Sequence, residues 1–197
     1  MFVKICGLRT AADVACAVEA GADAVGFVLS ESPREVSRAE AAELAGAVPS
    51  HVLTVGVFKG VPVAEIRAAV AETGIRAVQL HGSGYAQEDF DALRDLPVKL
   101  IRAISLKDGE TPRVGDRGED LLLLDSPQAG SGETWDWSKL STPDGAWLLA
   151  GGLSPDNVAE AAAAVKPWGV DVSSGVESSR GVKDQNLIRA FLAAARR

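Results

Sequence analysis

Two side chains capable of acid–base chemistry stand at the ends of strand-like, aliphatic runs. Cys6 closes the run Phe2–Cys6, and Asp125 directly follows the run Asp120–Leu124. A thiol and a carboxyl that flank one ligand could remove and supply a proton, provided that their pKa values are tuned toward neutrality. Each residue also has an ordinary structural interpretation, because free cysteines are often buried as small hydrophobes and aspartates often cap turns. Cys6 and Asp125 are the two candidate catalytic residues.

Three further charged residues could support this chemistry. Strand alternation places Lys4 on the same face as Cys6, pointing toward the interior of the sheet. Lys4 could form a Schiff base, but we expect it to be a structural or electrostatic partner of an inward carboxylate such as Asp171. Asp171 is also a candidate substrate-binding residue. Arg34 follows a Ser-Pro pair, where its guanidinium could clamp a substrate carboxylate, and a solvated loop arginine is the alternative.

Two glycine-bearing turns predict a phosphate site. Gly151-Gly152 follows the seventh strand-like run, and Ser173-Ser174-Gly175 ends the eighth. Glycine lets the backbone approach a ligand closely, and N–H groups at helix starts favour an anion. In a barrel of alternating strands and helices, the loops after these two strands build the usual phosphate site. Ordinary tight turns are the alternative, and we favour phosphate because both turns follow the expected strands.

Metal and serine-nucleophile chemistry are not indicated. His51 begins the third predicted strand and His81 follows the fourth, so the two histidines lie at opposite ends of a sheet and cannot share a metal. No cysteine, histidine and aspartate cluster has ligand spacing, and the Gly-x-Ser-x-Gly motif does not occur. We expect no metal in this protein.

A repeating order of strand, short turn and helix must position these residues. Caps and prolines mark the helix starts, and no linker divides the chain. The predicted strands cover Phe2–Cys6, Asp23–Leu29, His51–Phe58, Arg76–Leu80, Val98–Ile104, Asp120–Leu124, Ala146–Ala150 and Gly169–Ser173. The predicted helices cover Thr10–Ala20, Ser37–Val48, Pro62–Thr73, Gln87–Arg94, Ser154–Val165 and Lys183–Ala195, with a short helix after Trp135-Asp136-Trp137.

Eight such units predict an α/β fold with one (β/α)8 TIM barrel spanning residues 1–197. The barrel would be compact, because about 250 residues is more typical. The segment Ser105–Glu119 is rich in Gly, Asp and Arg and lacks helical periodicity, so we expect a degenerate or missing fifth helix. A doubly wound open sheet is the alternative, but no strand shows the Pro, Lys and Glu pattern of an exposed edge.

Composition argues against several classes of protein. The 47% hydrophobic and 24% charged content is ordinary for a globular protein. A net charge of -7 without a basic run argues against nucleic-acid binding. The chain has neither the ~20 consecutive apolar residues of a membrane helix nor a signal peptide. Cys6 and Cys16 suit a reducing compartment. We expect a cytoplasmic protein, a monomer rather than a homodimer, whose partner is a small molecule.

Taken together, these motifs resemble the phosphoribosylanthranilate isomerase family of tryptophan biosynthesis. The resemblance covers nearly the whole chain, and the order and number of the motifs make it specific although each alone is weak. The motifs are Lys4–Leu8, Gly21–Asp23, Gly26–Val28, Ser32–Arg34, Gln79–Gly82, Leu124-Asp125, Gly130–Gly132, Asp136-Trp137, Ala150–Leu153, Asn157-Val158, Gly169–Glu177 and Gly181–Asp184.

The resemblance implies a cofactor-free Amadori rearrangement of a phosphorylated aminoaldose, N-(5-phosphoribosyl)anthranilate, to the corresponding 1-deoxyribulose 5-phosphate. In this family the cysteine of strand one is the general base and the aspartate of strand six is the general acid. These roles carry over to Cys6 and Asp125. Arg34 would hold the anthranilate carboxylate, and the backbones of Gly152 and Ser173–Gly175 would hold the phosphate.

One position departs from the family pattern, and three other interpretations stay open. Glu133 follows the Gly-Ser-Gly turn, where the family usually has a basic residue, so no charge role is carried to it. The glycines of Ser126–Thr134 would permit this loop to close as a lid.

A histidine-pathway aminoaldose isomerase would use two aspartates, and indole-glycerol-phosphate synthase would need lysines and an N-terminal extension. A non-catalytic phosphate-binding barrel would need neither Cys6 nor Asp125.

Overall fold

Eight parallel strands close into a barrel in which each strand pairs with the next and the last pairs with the first. The computed structural model describes residues 1–105, 112–126 and 142–196. The closed barrel confirms the predicted (β/α)8 fold, and the alternative of an open sheet is wrong. The strands are β1 (Phe2–Cys6), β2 (Ala24–Val28), β3 (Leu53–Phe58), β4 (Ala77–His81), β5 (Lys99–Ser105), β6 (Leu121–Asp125), β7 (Trp147–Leu149) and β8 (Gly169–Val172).

Helices cover the outside of the barrel. Within the described residues they are α1 (Ala11–Glu19), α2 (Arg38–Gly46), α3 (Val63–Thr73), α4 (Gln87–Asp91), α5 (Val158–Val165) and α6 (Gln185–Ala195). Residues 112–120, between β5 and β6, contain turns and no helix, in agreement with a degenerate fifth unit. The short helix predicted after Trp135-Asp136-Trp137 lies outside the described residues. So do Glu133 and the loop Ser126–Thr134 beyond its first residue.

Side-chain caps determine where several helices begin. Thr10 Oγ1 accepts a hydrogen bond from the N–H of Asp13 at 3.1 Å before α1. Ser37 and Glu40 form the predicted capping box at the start of α2. Asp184 caps α6 by accepting from two backbone N–H groups. Because these caps satisfy N–H groups that have no intrahelical partner, each helix starts at a defined distance from the strand before it.

Strand alternation divides the apolar core into two layers. On β1, Val3 and Ile5 pack in the outer layer between the barrel and the helices. Cys6 belongs to the inner layer, with Phe2 packed against it. Lys4 lies on this inward face too, and its side chain is fully buried. The predicted division of the two faces of β1 is therefore confirmed.

The start of α5 was predicted too early. The helix begins at Val158 rather than at the Ser154-Pro155 pair. Asn157 explains the delay, because its side chain accepts from the N–H of Ser154 and donates to the carbonyl of Gly152, each at 2.8 Å. The residues before Val158 are thereby held in a turn that belongs to the barrel mouth.

A short hairpin after β8 was not predicted at all. Strands β9 (Glu177–Ser179) and β10 (Val182–Lys183) pair antiparallel outside the barrel. Lys183 therefore belongs to β10, and α6 begins at Gln185 rather than at Lys183 as predicted. Two strands of two and three residues are too short to show alternation, so no sequence pattern indicated them.

Smaller boundary errors have local causes. Strand β3 begins at Leu53 and not at His51, because Val52 donates to the carbonyl of Pro49 at 3.0 Å in a turn. Pro62 is the N-cap of α3 rather than its first helical residue, since its ψ of 143° is extended. Helix α4 ends at Asp91 instead of Arg94. Among the residues that the structure describes, no helix is both long and apolar enough to cross a membrane.

Candidate active site

A pocket at the carboxyl ends of the strands brings most of the predicted site residues together. It lies where the loops after β7 and β8 meet the end of β6. Its lining contains six of the predicted residues, namely Asp125, Gly151, Gly152, Asp171, Ser173 and Ser174. Cys6, Arg34 and Gly175 do not line this pocket but stand beside its walls. The predicted acid and the predicted phosphate turns are therefore immediate neighbours.

Gly7 allows Arg34 and Ser173 to lie close to the end of β1, next to Cys6. It follows the thiol directly and has a left-handed φ of 75°. A Cβ added at Gly7 would lie 2.7 Å from Cδ of Arg34 and 3.1 Å from Oγ of Ser173. Because only a glycine leaves room there, Arg34 and Ser173 can close over the end of β1.

Cys6 is the last residue of β1 and is 6% exposed. It pairs in register with Gly26 on β2, and a Cβ at Gly26 would lie 2.9 Å from Cys6 Sγ. Burial raises the pKa of the Cys6 thiol, while the positive charge of Lys4 and a hydrogen bond from it act in the opposite direction. The thiol thus packs against a glycine of the neighbouring strand and has the ammonium group of Lys4 as a charged neighbour.

Lys4 forms a buried ion pair with Asp171, one of the residues that line the pocket. Nζ of Lys4 lies 2.8 Å from Oδ1 of Asp171, as predicted from the inward phase of both residues. Burial alone would lower the pKa of Lys4, but the charges of Asp171 and Cys6 raise it above its ordinary value. A lysine held as an ammonium ion has no lone pair for attack, so the Schiff-base interpretation of Lys4 finds no support here.

Asp125 ends β6 and is 8% exposed. Its Oδ1 accepts a hydrogen bond from the N–H of Ser126 at 2.8 Å. Burial raises the pKa of Asp125 to about 6, and the negative charge of Asp171 adds to this effect against the hydrogen bond from Ser126. A carboxyl with this pKa can hold a proton near neutrality, which a general acid requires.

His81 is a site residue that the sequence reasoning considered only as a metal ligand. It ends β4, and its Nε2 lies 4.0 Å from Oδ2 of Asp125. Burial lowers the pKa of His81, and the positive charge of Lys59 lowers it further. Strand alternation puts Ala77, Gln79 and His81 on the inward face of β4, and this pattern could have predicted that the imidazole lies at the mouth of the barrel.

Each of the two predicted phosphate turns contains a glycine that a larger residue could replace only with strain or a steric clash. Gly151 and Gly152 have φ values of 80° and 66°, in the region that favours glycine. A Cβ added at Gly151 would lie 2.7 Å from Oδ1 of Asp125. At Gly175 an added Cβ would overlap the carbonyl oxygen of Leu153, so this glycine lets the two loops touch. The loops form one continuous wall beside Asp125.

Arg34 is buried and engaged by a carboxylate of the chain itself. Its Nε and Nη2 donate to Oε1 and Oε2 of Glu177 at 2.6 and 3.0 Å. At 9% exposure, Arg34 is not the solvated loop arginine of the alternative interpretation. Nη1 of Arg34 has no hydrogen-bond acceptor among the described residues, so this nitrogen is available to a ligand.

Glu177 and Lys183 are functional-site residues that the sequence reasoning did not single out. Nζ of Lys183 donates to Oε1 of Glu177 and to the carbonyl of Ser173, both at 2.8 Å. Burial lowers the pKa of Lys183, partly offset by its contact with Glu177. The hairpin thus ties Arg34 to the loop after β8.

In the described part of the chain, no three His, Cys, Asp or Glu side chains are grouped to hold a metal ion.

Comparison with known proteins agrees with this geometry. Residues 3–194 match the family model described as N-(5'phosphoribosyl)anthranilate (PRA) isomerase. The N-(5'-phosphoribosyl)anthranilate isomerase of Listeria monocytogenes serotype 4b (strain F2365) is 41% identical over 204 residues, which cover 100% of this chain and 98% of that protein.

Solved structures give the same result. TrpF from Jonesia denitrificans has a TM-score of 0.91 and 46% identity, with 100% of this chain and 97% of that chain covered. A phosphoribosyl anthranilate isomerase in complex with reduced 1-(o-carboxyphenylamino)-1-deoxyribulose 5-phosphate has a TM-score of 0.82 and 32% identity, with 100% and 98% covered. The chain belongs to the N-(5'-phosphoribosyl)anthranilate isomerase family.

Proposed function

We propose that this protein isomerises N-(5-phosphoribosyl)anthranilate, with Asp125 as general acid and Cys6 as general base. The observation that carries the assignment of roles is the position of Asp125. Its carboxyl lines the same pocket as the glycine and serine turns after β7 and β8. A substrate whose phosphate lies in these turns therefore presents its ribose to a carboxyl with a raised pKa.

The first step opens the furanose ring. Asp125 donates its proton to the ring oxygen, and the bond between C1 and that oxygen breaks. The electron pair of the substrate nitrogen forms a C1–N double bond, which gives an iminium ion. Burial supports this role, because a carboxyl whose pKa is about 6 exists partly in the protonated form near neutrality.

The second step removes a proton from carbon. Cys6, as thiolate, takes the proton of C2, and the electrons of that bond form a C1–C2 double bond that neutralises the iminium nitrogen. The resulting enolamine becomes the ketone when its hydroxyl loses a proton and C1 gains one. Cys6 then releases its proton to solvent and Asp125 takes one up from solvent, which restores the starting protonation. The rearrangement needs no external oxidant or reductant.

Binding groups at both ends hold the substrate across the pocket. The backbones of Gly151, Gly152 and Ser173–Gly175 hold the phosphate. Arg34 offers its free Nη1 to the anthranilate carboxylate while Glu177 fixes the other two guanidinium nitrogens. Asp171 lines the pocket as a candidate substrate-binding residue, is paired with Lys4, and takes no direct part in the proton transfers.

Growth without tryptophan tests this activity. A host that lacks the isomerase and carries this chain should grow on minimal medium, and the same host carrying Cys6→Ala should not. Purified protein should also convert N-(5-phosphoribosyl)anthranilate to the ketose, which chromatography separates from the aldose. A folded, well-expressed protein that binds the substrate and leaves it unchanged would contradict the proposal and identify a non-catalytic phosphate-binding barrel.

The protein is further proposed to act as a monomer in the cytoplasm. Among the described residues, the large hydrophobic side chains that are exposed are Met1, Trp168 and Val182. Met1 precedes Phe2, which stacks on Trp168, whereas Val182 belongs to the hairpin after β8. Three side chains do not make the extended apolar patch of a stable subunit interface. Light scattering coupled to gel filtration measures the mass, and a dimer at micromolar concentration would contradict this expectation.

A further inference from the structure

A fully buried lysine lies next to the proposed base and has no part in the proton transfers described above. Lys4 has 0% exposure, and its ammonium contacts Asp171 at 2.8 Å. A buried ion pair is a weak source of stability, because removing both charges from water costs several kcal/mol. An apolar side chain would fill this part of the barrel at a lower cost. Lys4 therefore calls for an explanation beyond packing.

The side chains of Lys4 and Cys6 both pack against Gly26 of β2. A Cβ added at Gly26 would lie 2.9 Å from Sγ of Cys6 and 3.3 Å from Cε of Lys4. Because Gly26 has no side chain, the side chain of Lys4 can extend along β1 toward the thiol of Cys6. Its ammonium donates a hydrogen bond to the carboxylate of Asp171 and is near enough to the thiol of Cys6 to lower the thiol pKa.

We propose that Lys4 is a positioning residue that stabilises the thiolate form of Cys6 through its adjacent charge, and that Asp171 moderates this effect by sharing the ammonium. The inference rests on the proposed role of Cys6 as base. Lys4 is fully buried and is not among the residues that line the pocket. It acts through the charge that it places beside Sγ.

The charged groups around Cys6 make Lys4 the main counterweight to burial. Burial raises the pKa of the thiol, and Lys4 provides the largest opposing effect. Lys183 lowers the thiol pKa to a smaller extent, whereas Asp171 raises it. Arg34 is the fourth charged group that interacts with Cys6. Loss of Lys4 therefore leaves a buried thiol with much less positive charge near it.

The two members of the ion pair have opposite effects, and this distinguishes an electrostatic role from a structural one. Replacing Lys4 by methionine removes the charge that stabilises the thiolate. Replacing Asp171 by asparagine removes an opposing negative charge and leaves the ammonium to Cys6 alone. If the pair served only to hold the barrel together, both changes would disturb Cys6 in the same direction.

Titration of the free protein tests the proposal without substrate. Thiolate absorbance in the ultraviolet is followed against pH in a Cys16→Ala background, with Cys6→Ala as the blank. In Lys4→Met the thiolate fraction at neutral pH should fall about 10- to 1000-fold, the effect of losing one adjacent charge. In Asp171→Asn it should rise. Lys4→Arg keeps the charge and should retain most of the thiolate.

Activity provides the second readout. Lys4→Met should lower kcat in proportion to its thiolate fraction, with little change in KM, and should move the high-pH limb of the rate profile to higher pH. An unchanged thiolate fraction in Lys4→Met, or a shift of the same sign in Lys4→Met and Asp171→Asn, would overturn the proposal. If Lys4→Met does not fold, a thiolate fraction in Asp171→Asn that does not rise overturns it equally. Normal turnover by Cys6→Ala would instead overturn the role of Cys6 as base.

Discussion

Glu177 holds the guanidinium of Arg34 through two parallel hydrogen bonds, of 2.6 Å from Nε to Oε1 and 3.0 Å from Nη2 to Oε2. Lys183 donates to the same carboxylate at 2.8 Å. One carboxylate therefore fixes Arg34, in the loop after β2, and Lys183, in the hairpin after β8. Because a bidentate pair restricts the plane of the guanidinium, Glu177 determines where Nη1 of Arg34 points.

The variant Glu177→Gln should therefore lose both stability and substrate affinity. Removing one partner of a buried charge pair leaves the other charges uncompensated, and we expect a loss of about 3 kcal/mol in the free energy of unfolding. KM should rise more than kcat falls, because the role is to orient a binding group. Urea unfolding and steady-state kinetics measure these effects.

The matched control is Glu72→Gln, which breaks the exposed pair between Arg38 and Glu72 at 3.2 Å. It should change the unfolding free energy by less than about 1 kcal/mol. Equal effects of the two variants would contradict the special position of Glu177.

Acid should weaken the protein through the same carboxylate. Burial alone would raise the pKa of Glu177, but hydrogen bonds from Arg34 and Lys183 lower it to about 2 from an ordinary value of 4.5. The stabilisation is thus complete above about pH 4.5 and is lost as the pH falls from there toward 2. The stability difference between the wild-type protein and Glu177→Gln should shrink over this range in urea titrations. A difference that stays constant would contradict the assignment.

The pH dependence of kcat/KM should be bell-shaped. The active form needs Asp125 protonated and Cys6 ionised, so the two groups together carry one proton. At low pH they carry two protons and at high pH none, and both of these forms are inactive. The rate should rise through about pH 6, where Asp125 titrates, and fall above the raised pKa of Cys6.

Asp125→Asn separates this assignment from titration of His81. The limb near pH 6 should disappear in this variant, and its residual rate should increase with pH until Cys6 is ionised. A limb that persists near pH 6 in Asp125→Asn would assign it to another group.

Gly175→Ala should weaken phosphate binding. The added Cβ would meet the carbonyl oxygen of Leu153 and would lie 3.2 Å from Cα of Ser154, so the loops after β7 and β8 must move apart. We expect a KM about tenfold higher, equivalent to 1.4 kcal/mol, together with a loss of about 1 to 3 kcal/mol in stability. Gly84→Ala is the control, because a Cβ there meets no atom within 4 Å among the described residues. A normal KM for Gly175→Ala would contradict the phosphate assignment.

Local patterns in the sequence were sufficient to predict the barrel and the direction of its key side chains. Alternation along β1 predicted that Lys4 and Cys6 point inward and that Lys4 pairs with Asp171. The cap at Ser37 and the end of α3 at Thr73 were also predicted correctly, because each depends on residues only a few positions apart.

Features that depend on distant residues could not be predicted in this way. The ion pairs of Glu177 join residues 143 and 6 positions away, and no periodicity links them. The late start of α5 depends on two side-chain hydrogen bonds of Asn157 that compete with the helix. His81 was discounted because metal binding was the only role considered for it, although its inward phase was readable.

The most direct test of the account is the turnover of Cys6→Ala and Asp125→Asn. Each removes one proton-transfer group without changing the fold, so kcat should fall by about 10²- to 10⁴-fold in each variant while circular dichroism stays normal. The controls are Cys16→Ala, which removes a buried thiol of α1, and Asp120→Asn, which changes a carboxylate that accepts from the N–H of Leu100 at 2.8 Å near the start of β6. Both controls should keep kcat within about twofold of the wild-type value. Near-normal kcat in folded Cys6→Ala and Asp125→Asn would contradict the proposed base and acid.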